Sequence, residues 1–250
     1  MTTPLLLLLA GALAGVIGTA GGITSLVAYP ALLAVGIPPL AANVTNSVAL
    51  LGSGASAALR ARPDLEDHAA TLRRWLPVTV TVSAVGAGLL LVTPSDLFDR
   101  IVPFLVAAGA VLLLAQPLID RRRAPAASGI PARRTAGATA GMAGVSLYNG
   151  YFGAGSGVLL IAVLLLNGEP VLHRANALKN VLLLAADLLP AVLFAVFGTV
   201  VWSAALPLGA GAVVGGLIGP SVARRVPTAI LRVAIALCGF ALAVYLFVAA

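Results

Sequence analysis

The stretch GYFGAGSGVLLIAVLLLNGEPVLHRANALKN, residues 150–180, decides the fold class. Gly150, Gly153, Gly155 and Gly157 crowd its opening, an unbroken apolar run fills 158–166, and a polar helix pattern resumes with Asn176, Lys179 and Asn180. About 20 apolar residues are needed to cross the hydrocarbon of a bilayer, whereas runs of about 10–14 suit re-entrant or half-helices buried by protein. Segment 156–167 is of the second kind. Upstream, GVIGTAGGITSLVAYPALLAVGIPPLAANVTNS, residues 15–47, repeats the order: a glycine-rich break, a short apolar segment at 24–36, then a helix with Asn43, Asn46 and Ser47.

The rest of the chain fits the same solvent. Of 250 residues, 60% are hydrophobic and 9% charged, with a mean hydropathy of +1.08. Soluble domains carry about 25% charged residues, and this chain has too few to cover a water-facing surface. Further apolar segments are expected at 5–19, 40–59, 75–93, 98–119, 136–150, 174–197, 203–220 and 228–249. Of these, 40–59, 75–93, 98–119, 174–197 and 228–249 are long enough to span alone. No basic region precedes residues 5–10, so the first segment reads as one retained in the bilayer and not as a cleaved signal. The single cysteine, Cys238, makes no internal disulfide and reads as a small core or lipid-facing residue.

The formal charge of +7 is concentrated in links between segments. Arg60, Arg62, Arg73 and Arg74 lie in 60–74, and Arg121, Arg122, Arg123, Arg133 and Arg134 lie in the polar connection 120–135. Such clusters mark cytoplasmic loops. They lack the aromatic–basic interleaving that nucleic acid requires, so nucleic acid is excluded as a partner. The connection divides the chain into a first membrane repeat, 1–119, and a second, 136–250. Gly11, Gly22 and Asn43 recur 133 positions later as Gly144, Gly155 and Asn176. Trp75 and Trp202 stand 127 apart, and Arg100 and Arg232 stand 132 apart. Charge changes side between corresponding loops: 198–201 is uncharged where 60–74 is basic, and 221–227 carries Arg224 and Arg225 where 94–99 carries no basic residue. The expected fold is therefore an all-α integral membrane protein of two inverted-topology repeats. Each repeat has about five helical segments with broken or re-entrant helices at the glycine-rich motifs, and both termini lie outside the cytoplasm.

Two breaks at equivalent places can converge near the bilayer midplane. A helix restarting after a glycine-rich break aims free N–H groups and its positive dipole end at whatever lies there, which makes an anion site. Gly21, Gly22, Thr24 and Ser25 in the first half and Gly153, Gly155, Ser156 and Gly157 in the second are the candidate residues at the breaks. On the following helices, Asn43, Asn46 and Ser47 match Asn176, Lys179 and Asn180, and at about 100° per residue each trio falls within one arc. Asp187 lies on the same arc, where the first half has Gly54; it is the candidate coupling residue. Lys179 and Asp187 are intramembrane ionisable groups, functional by default because burying them is costly; snorkelling of Lys179 or a structural Lys179–Asp187 pair are the alternatives. Thr45 points away and reads as a packing hydroxyl, His173 and Arg174 as residues of a helix mouth, and His68 as a solvated loop residue. Gly11 and Gly15, and Gly211, Gly215 and Gly219, form small-residue faces for helix packing within one subunit or between two copies, which leaves a homodimer open. No nucleophile–base motif, cysteine pair or metal-ligand spacing is present, so no enzyme, metal or cofactor is expected.

The twin breaks, each followed by Ala-Asn and a polar helix, together with GTVVW at 198–202, resemble the TauE/SafE family of sulfite exporters over residues 10–247. The resemblance implies a bacterial-type cytoplasmic membrane permease for sulfite, sulfonates or related small anions, driven by protons or the membrane potential without ATP hydrolysis. Gly22, Asn43 and Asn46, and Gly155, Asn176 and Lys179, match the family's repeat motifs, and Gly21-Gly22-Ile23 departs from the longer glycine run many members have. The expected partners are a small anionic substrate and the lipid bilayer. The rival readings are a permease or channel for another solute, and a membrane scaffold or assembly factor with no substrate.

Overall fold

A computed structural model of the chain describes residues 2–21, 24–61, 65, 68–121, 136–167, 169, 171–223 and 228–249. Eleven helices and no strand occur among them: α1 (Thr2–Gly21), α2 (Ser25–Ala34), α3 (Pro39–Ala49), α4 (Leu51–Ala61), α5 (Ala69–Val92), α6 (Ser95–Arg121), α7 (Ala136–Tyr151), α8 (Ser156–Leu166), α9 (Leu172–Phe197), α10 (Trp202–Ala223) and α11 (Thr228–Ala249). Ala69–Val92, Ser95–Ala115 and His173–Phe197 are long and apolar enough to cross a membrane, and Thr2–Gly18, Trp202–Ile218 and Val233–Val248 are shorter apolar helices. Large side chains such as Phe104, Val192, Phe197, Leu237 and Phe247 are exposed on the outside of the bundle. Lipid is the solvent that accepts such a surface.

The short segments end where the sequence breaks them. In α2 the ladder closes at Gly36, whose φ of +85° places it in the left-handed region. The Ile37 amide there donates to the Leu32 carbonyl, a Schellman-type finish. At the second break, Gly153 (φ +79°) and Gly155 (φ +81°) turn the chain between α7 and α8, a conformation that disfavours any side chain. The first break is narrower than the sequence suggests: α1 runs on through Gly21, and Gly22 and Ile23 lie outside the described residues. The expected single span 40–59 is instead two helices meeting at Leu50. Gly52 and Gly54, poor helix formers, follow the junction, whereas their counterparts Ala185 and Asp187 sit in the continuous α9.

The packing crosses the midpoint of the sequence. Helix α1 lies along α10, α5 along α7 and α9, and α6 against α11, while α4 packs on both α9 and α10. Glycines set the closest of these approaches. A Cβ on Gly11 would meet the Leu208 carbonyl and one on Gly211 the Leu8 carbonyl, so α1 and α10 touch backbone to backbone. Gly15 and Gly215 extend the same seam, which therefore packs within one chain. On α5 and α7 the equivalent contacts fall at Gly86, against the Leu147 carbonyl, and Gly150, against the Ser83 carbonyl. Gly144, the sequence match of Gly11, faces open space and takes no part. Trp75 of α5 is buried with Met142, Leu160, Leu178 and Leu182 of α7, α8 and α9.

Candidate functional site

The two breaks meet. The end of α1, the start of α2, α3–α4, the end of α7, the start of α8 and α9 enclose one cavity of about 110 Å³. One water needs roughly 10–15 Å³ by this measure, so the space takes a small polyatomic solute or several waters. Of the residues singled out from the sequence, Thr24, Ser25, Asn46, Ser47, Gly153, Ser156, Lys179, Asn180 and Asp187 line it.

Asn43, Asn176, Gly155 and Gly157, also singled out from the sequence, do not line this cavity. Asn43 is buried one turn before Asn46 and donates from Nδ2 to the Tyr151 carbonyl at 3.0 Å, satisfying an orphan carbonyl at the end of α7. Asn176 occupies the corresponding place below Lys179. The shared arc fixed the direction of these side chains but not their depth along the axis, about 4.5 Å per three residues. Gly155 turns its back on the cavity and packs against Gly109 of α6, where a Cβ would stand 3.5 Å from the Gly109 Cα. Gly157 is buried at the α8 start. Gly21 is the last residue of α1, and Gly22 falls outside the described residues.

Lys179 is the basic residue among those lining the cavity. It is 2% exposed and sits two turns inside α9, so it does not snorkel to an interface. Among the described residues it makes no ion pair, so the alternative of a structural Lys179–Asp187 bond fails. Eight residues at about 1.5 Å each separate the two along α9 by about 12 Å. Asp187 is held instead by Asn149: the Asn149 amide Nδ2 donates to Asp187 Oδ1 at 2.6 Å, and Asn149 Oδ1 accepts from Ser156 Oγ at 2.6 Å. Across the cavity, Asn46 Nδ2 donates to Ser25 Oγ at 3.2 Å and Ser47 Oγ to the Asn43 carbonyl at 3.0 Å. Gly18 leaves room for Thr24, whose hydroxyl a Cβ at that position would strike.

Sequence reading left out Asn149, Ser53 and Gly18, all of which line the cavity. The signal for Asn149 was its place in the last turn before the break, and its partners become visible only once α9 is known to pass beside it. Leu50, Ser53, Gly54 and Ala57 continue the stripe from Asn46 along α3–α4, while Leu183, Leu184 and Asp187 continue it from Lys179. Asn46, Ser47, Leu50 and Gly54 each find their match 133 residues later, at Lys179, Asn180, Leu183 and Asp187, in the same cavity wall.

Outside the cavity, Thr45 serves packing as expected, accepting from the Val201 amide at 3.0 Å. His68 is a correction: it is no solvated residue, but pairs through Nε2 with Glu169 Oε2 at 2.8 Å, tying the start of α5 to the α8–α9 connection. His173 and Arg174 are exposed at the start of α9, and the Arg74 guanidinium lies 4.7 Å from the Trp75 ring centroid. The basic connection from 122 to 135 and Arg224 and Arg225 lie outside the described residues.

Several known proteins are similar to this chain over most of its length. The "Probable membrane transporter protein ORF9" of Sinorhizobium sp is 29% identical, covering 96% of this chain and 90% of its own. A "Probable membrane transporter protein" of Haemophilus influenzae is 27% identical over 92% of this chain and 89% of its own. The "Probable membrane transporter protein YfcA" of Escherichia coli is 30% identical over 88% of this chain and 81% of its own. No solved structure matches at a significant level. The family model described as "Sulfite exporter TauE/SafE" matches residues 5–246, and the chain belongs to that family of membrane proteins.

Proposed function

We propose that this chain is a secondary transporter that moves a small anion, such as sulfite, a sulfonate or a related organic anion, across the cytoplasmic membrane by alternating access. One observation carries the reading. A lysine buried to 2% exposure faces a polar cavity with no carboxylate bonded to it among the described residues. An enclosed cation of this kind is destabilising until a counter-charge arrives, and a cargo anion supplies one. The hydroxyls of Ser25 and Ser53 and the amide of Asn180 offer hydrogen bonds around it.

We further propose that two inverted repeats build the site and make the chain multi-pass. The packing supports this. Exchanging α1, α2, α3–α4, α5 and α6 with α7, α8, α9, α10 and α11 turns the α1·α10 contact into α7·α5, α1·α2 into α7·α8, and α2·α3 into α8·α9. The α6·α11 contact maps onto itself. Matched cavity residues on α3–α4 and α9 give a site two faces of common ancestry, one of them carrying the charges.

The test is flux of labelled sulfite and methanesulfonate in proteoliposomes. Lys179→Ala is expected to lower it at least tenfold, about 1.4 kcal/mol or more of lost stabilisation. Wild-type flux in that variant would remove the site. Asp187 in the same wall favours one rival, a permease for a cationic or zwitterionic solute. Thermal stabilisation of the purified protein by taurine or choline, but not by simple sulfonates, would select it.

A further inference from the structure

A carboxylate in the wall of an anion cavity repels the cargo, and anion binding alone does not explain the coupling role expected of Asp187 from the sequence. Its surroundings do. Asn149 belongs to the last turn of α7, Ser156 is the first residue of α8, and Asp187 is on α9. The bonds Ser156 Oγ to Asn149 Oδ1 and Asn149 Nδ2 to Asp187 Oδ1, both 2.6 Å, bridge the break at Gly153 and Gly155 and tie it to the acid. A weaker contact at 3.4 Å runs from Asn149 Nδ2 to Ser83 Oγ on α5.

We infer that Asp187 takes up one proton with each anion held at Lys179, and that Asn149 is the positioning residue that transmits this protonation to the break ahead of α8. This rests on the anion reading of the cavity. The step balances simply: the ionised carboxyl binds H⁺ from the side to which the cavity opens and releases it with the anion on the other. Charge explains the coupling. An anion between Lys179 and Asp187 stands on the order of 6 Å from each, and at an effective dielectric near 20 the repulsion from an ionised Asp187 corresponds to roughly a hundredfold in affinity. Neutralising the acid removes it. By linkage, the anion favours the proton by the same factor. Protonation also turns the charge-assisted Asn149–Asp187 bond into a neutral one about half as strong, loosening the tie across the break.

No other charge intervenes among the described residues. Of the elements packed on α9, α3 and α8 carry no titratable side chain. Tyr148 and Tyr151 of α7 bond to the Ala154 carbonyl and to Thr93 Oγ1, and Arg60 of α4 and Arg73 of α5 are exposed. Arg74 lies over Trp75 near the start of α5, and His173 and Arg174 of α9 are exposed at its start. Lys179 is the charged group that shares the cavity with Asp187.

The experiment reconstitutes the full chain in liposomes holding a pH dye and supplies methanesulfonate, which stays a monoanion between pH 5 and 8, so that only the protein titrates. Wild type is expected to move about one proton per anion. Asp187→Asn should bring that ratio near zero on whatever flux remains, and Asp187→Glu should retain it. Asn149→Ala should lower the ratio, whereas a purely structural Asn149 would lower flux and leave the ratio unchanged. Should Asp187→Asn carry no flux, calorimetric binding in buffers of different ionisation enthalpy reads the same quantity: proton uptake per bound anion in wild type, none in the variant. Anion flux without proton movement in wild type, or with an unchanged ratio in Asp187→Asn, would overturn the inference while sparing the anion site. Absence of anion binding in wild type would sink the anion site itself.

Discussion

Asn43 and Lys179 show how differently two residues of one sequence pattern are used. Both belong to the matched arcs, yet Lys179 faces the cavity and Asn43 holds the end of α7 through the Tyr151 carbonyl. Removing that donor strands a buried carbonyl, so Asn43→Ala is expected to destabilise the protein by about 1–3 kcal/mol. Thermal unfolding in detergent measures this. A variant as stable as wild type that no longer binds the anion would return Asn43 to the site. Nine of the residues chosen from sequence do line the cavity, because polar groups on a lipid-buried helix have few places to go and periodicity gives their direction. Depth was not legible. It depends on where α7 ends against α3, a contact between residues 108 apart in the chain. The Asn149–Asp187 bond was hidden for the same reason.

Among elements, the α1·α10 seam makes the sharpest claim. Gly11 and Gly211 face carbonyls of the opposite helix, so a side chain on either must push two backbones apart along their whole contact. Overpacking commonly costs about 1–3 kcal/mol, and a clash with backbone stands at the upper end because no rotamer relieves it. Gly11→Val and Gly211→Val are each expected to lower the melting temperature by several degrees, whereas Gly137→Val and Gly88→Val, placed in open space, leave it nearly unchanged. Equal melting temperatures across all four would mean that the seam is not as close as described. The sequence showed these glycines as packing faces but could not choose between one subunit and two. Identical spacing serves either, and only the placement of α10 beside α1 decides it. The split of 40–59 at Leu50 was not legible because Gly52 and Gly54 are tolerated in many continuous helices.

For the molecule as a whole, orientation follows from where the arginines lie. The inverted arrangement proposed above predicts that the basic segment 60–74, which runs into α5, lies in the cytoplasm and that the uncharged 198–201, which leads into α10, lies on the opposite side. In the fold α5 packs among α7, α8 and α9 while α10 packs on α1, α3 and α4, an exchange of corresponding helices that fits such a relation. A parallel duplication would place both segments on one face of the membrane. Single cysteines distinguish the two. With Cys238, which is exposed, replaced by serine, Arg73→Cys and Thr199→Cys both present accessible side chains, since Arg73 and Thr199 are exposed in the fold. A membrane-impermeant maleimide is expected to label Thr199→Cys in intact cells and Arg73→Cys only in inside-out vesicles. Labelling of both from one side would rule out the inverted relation.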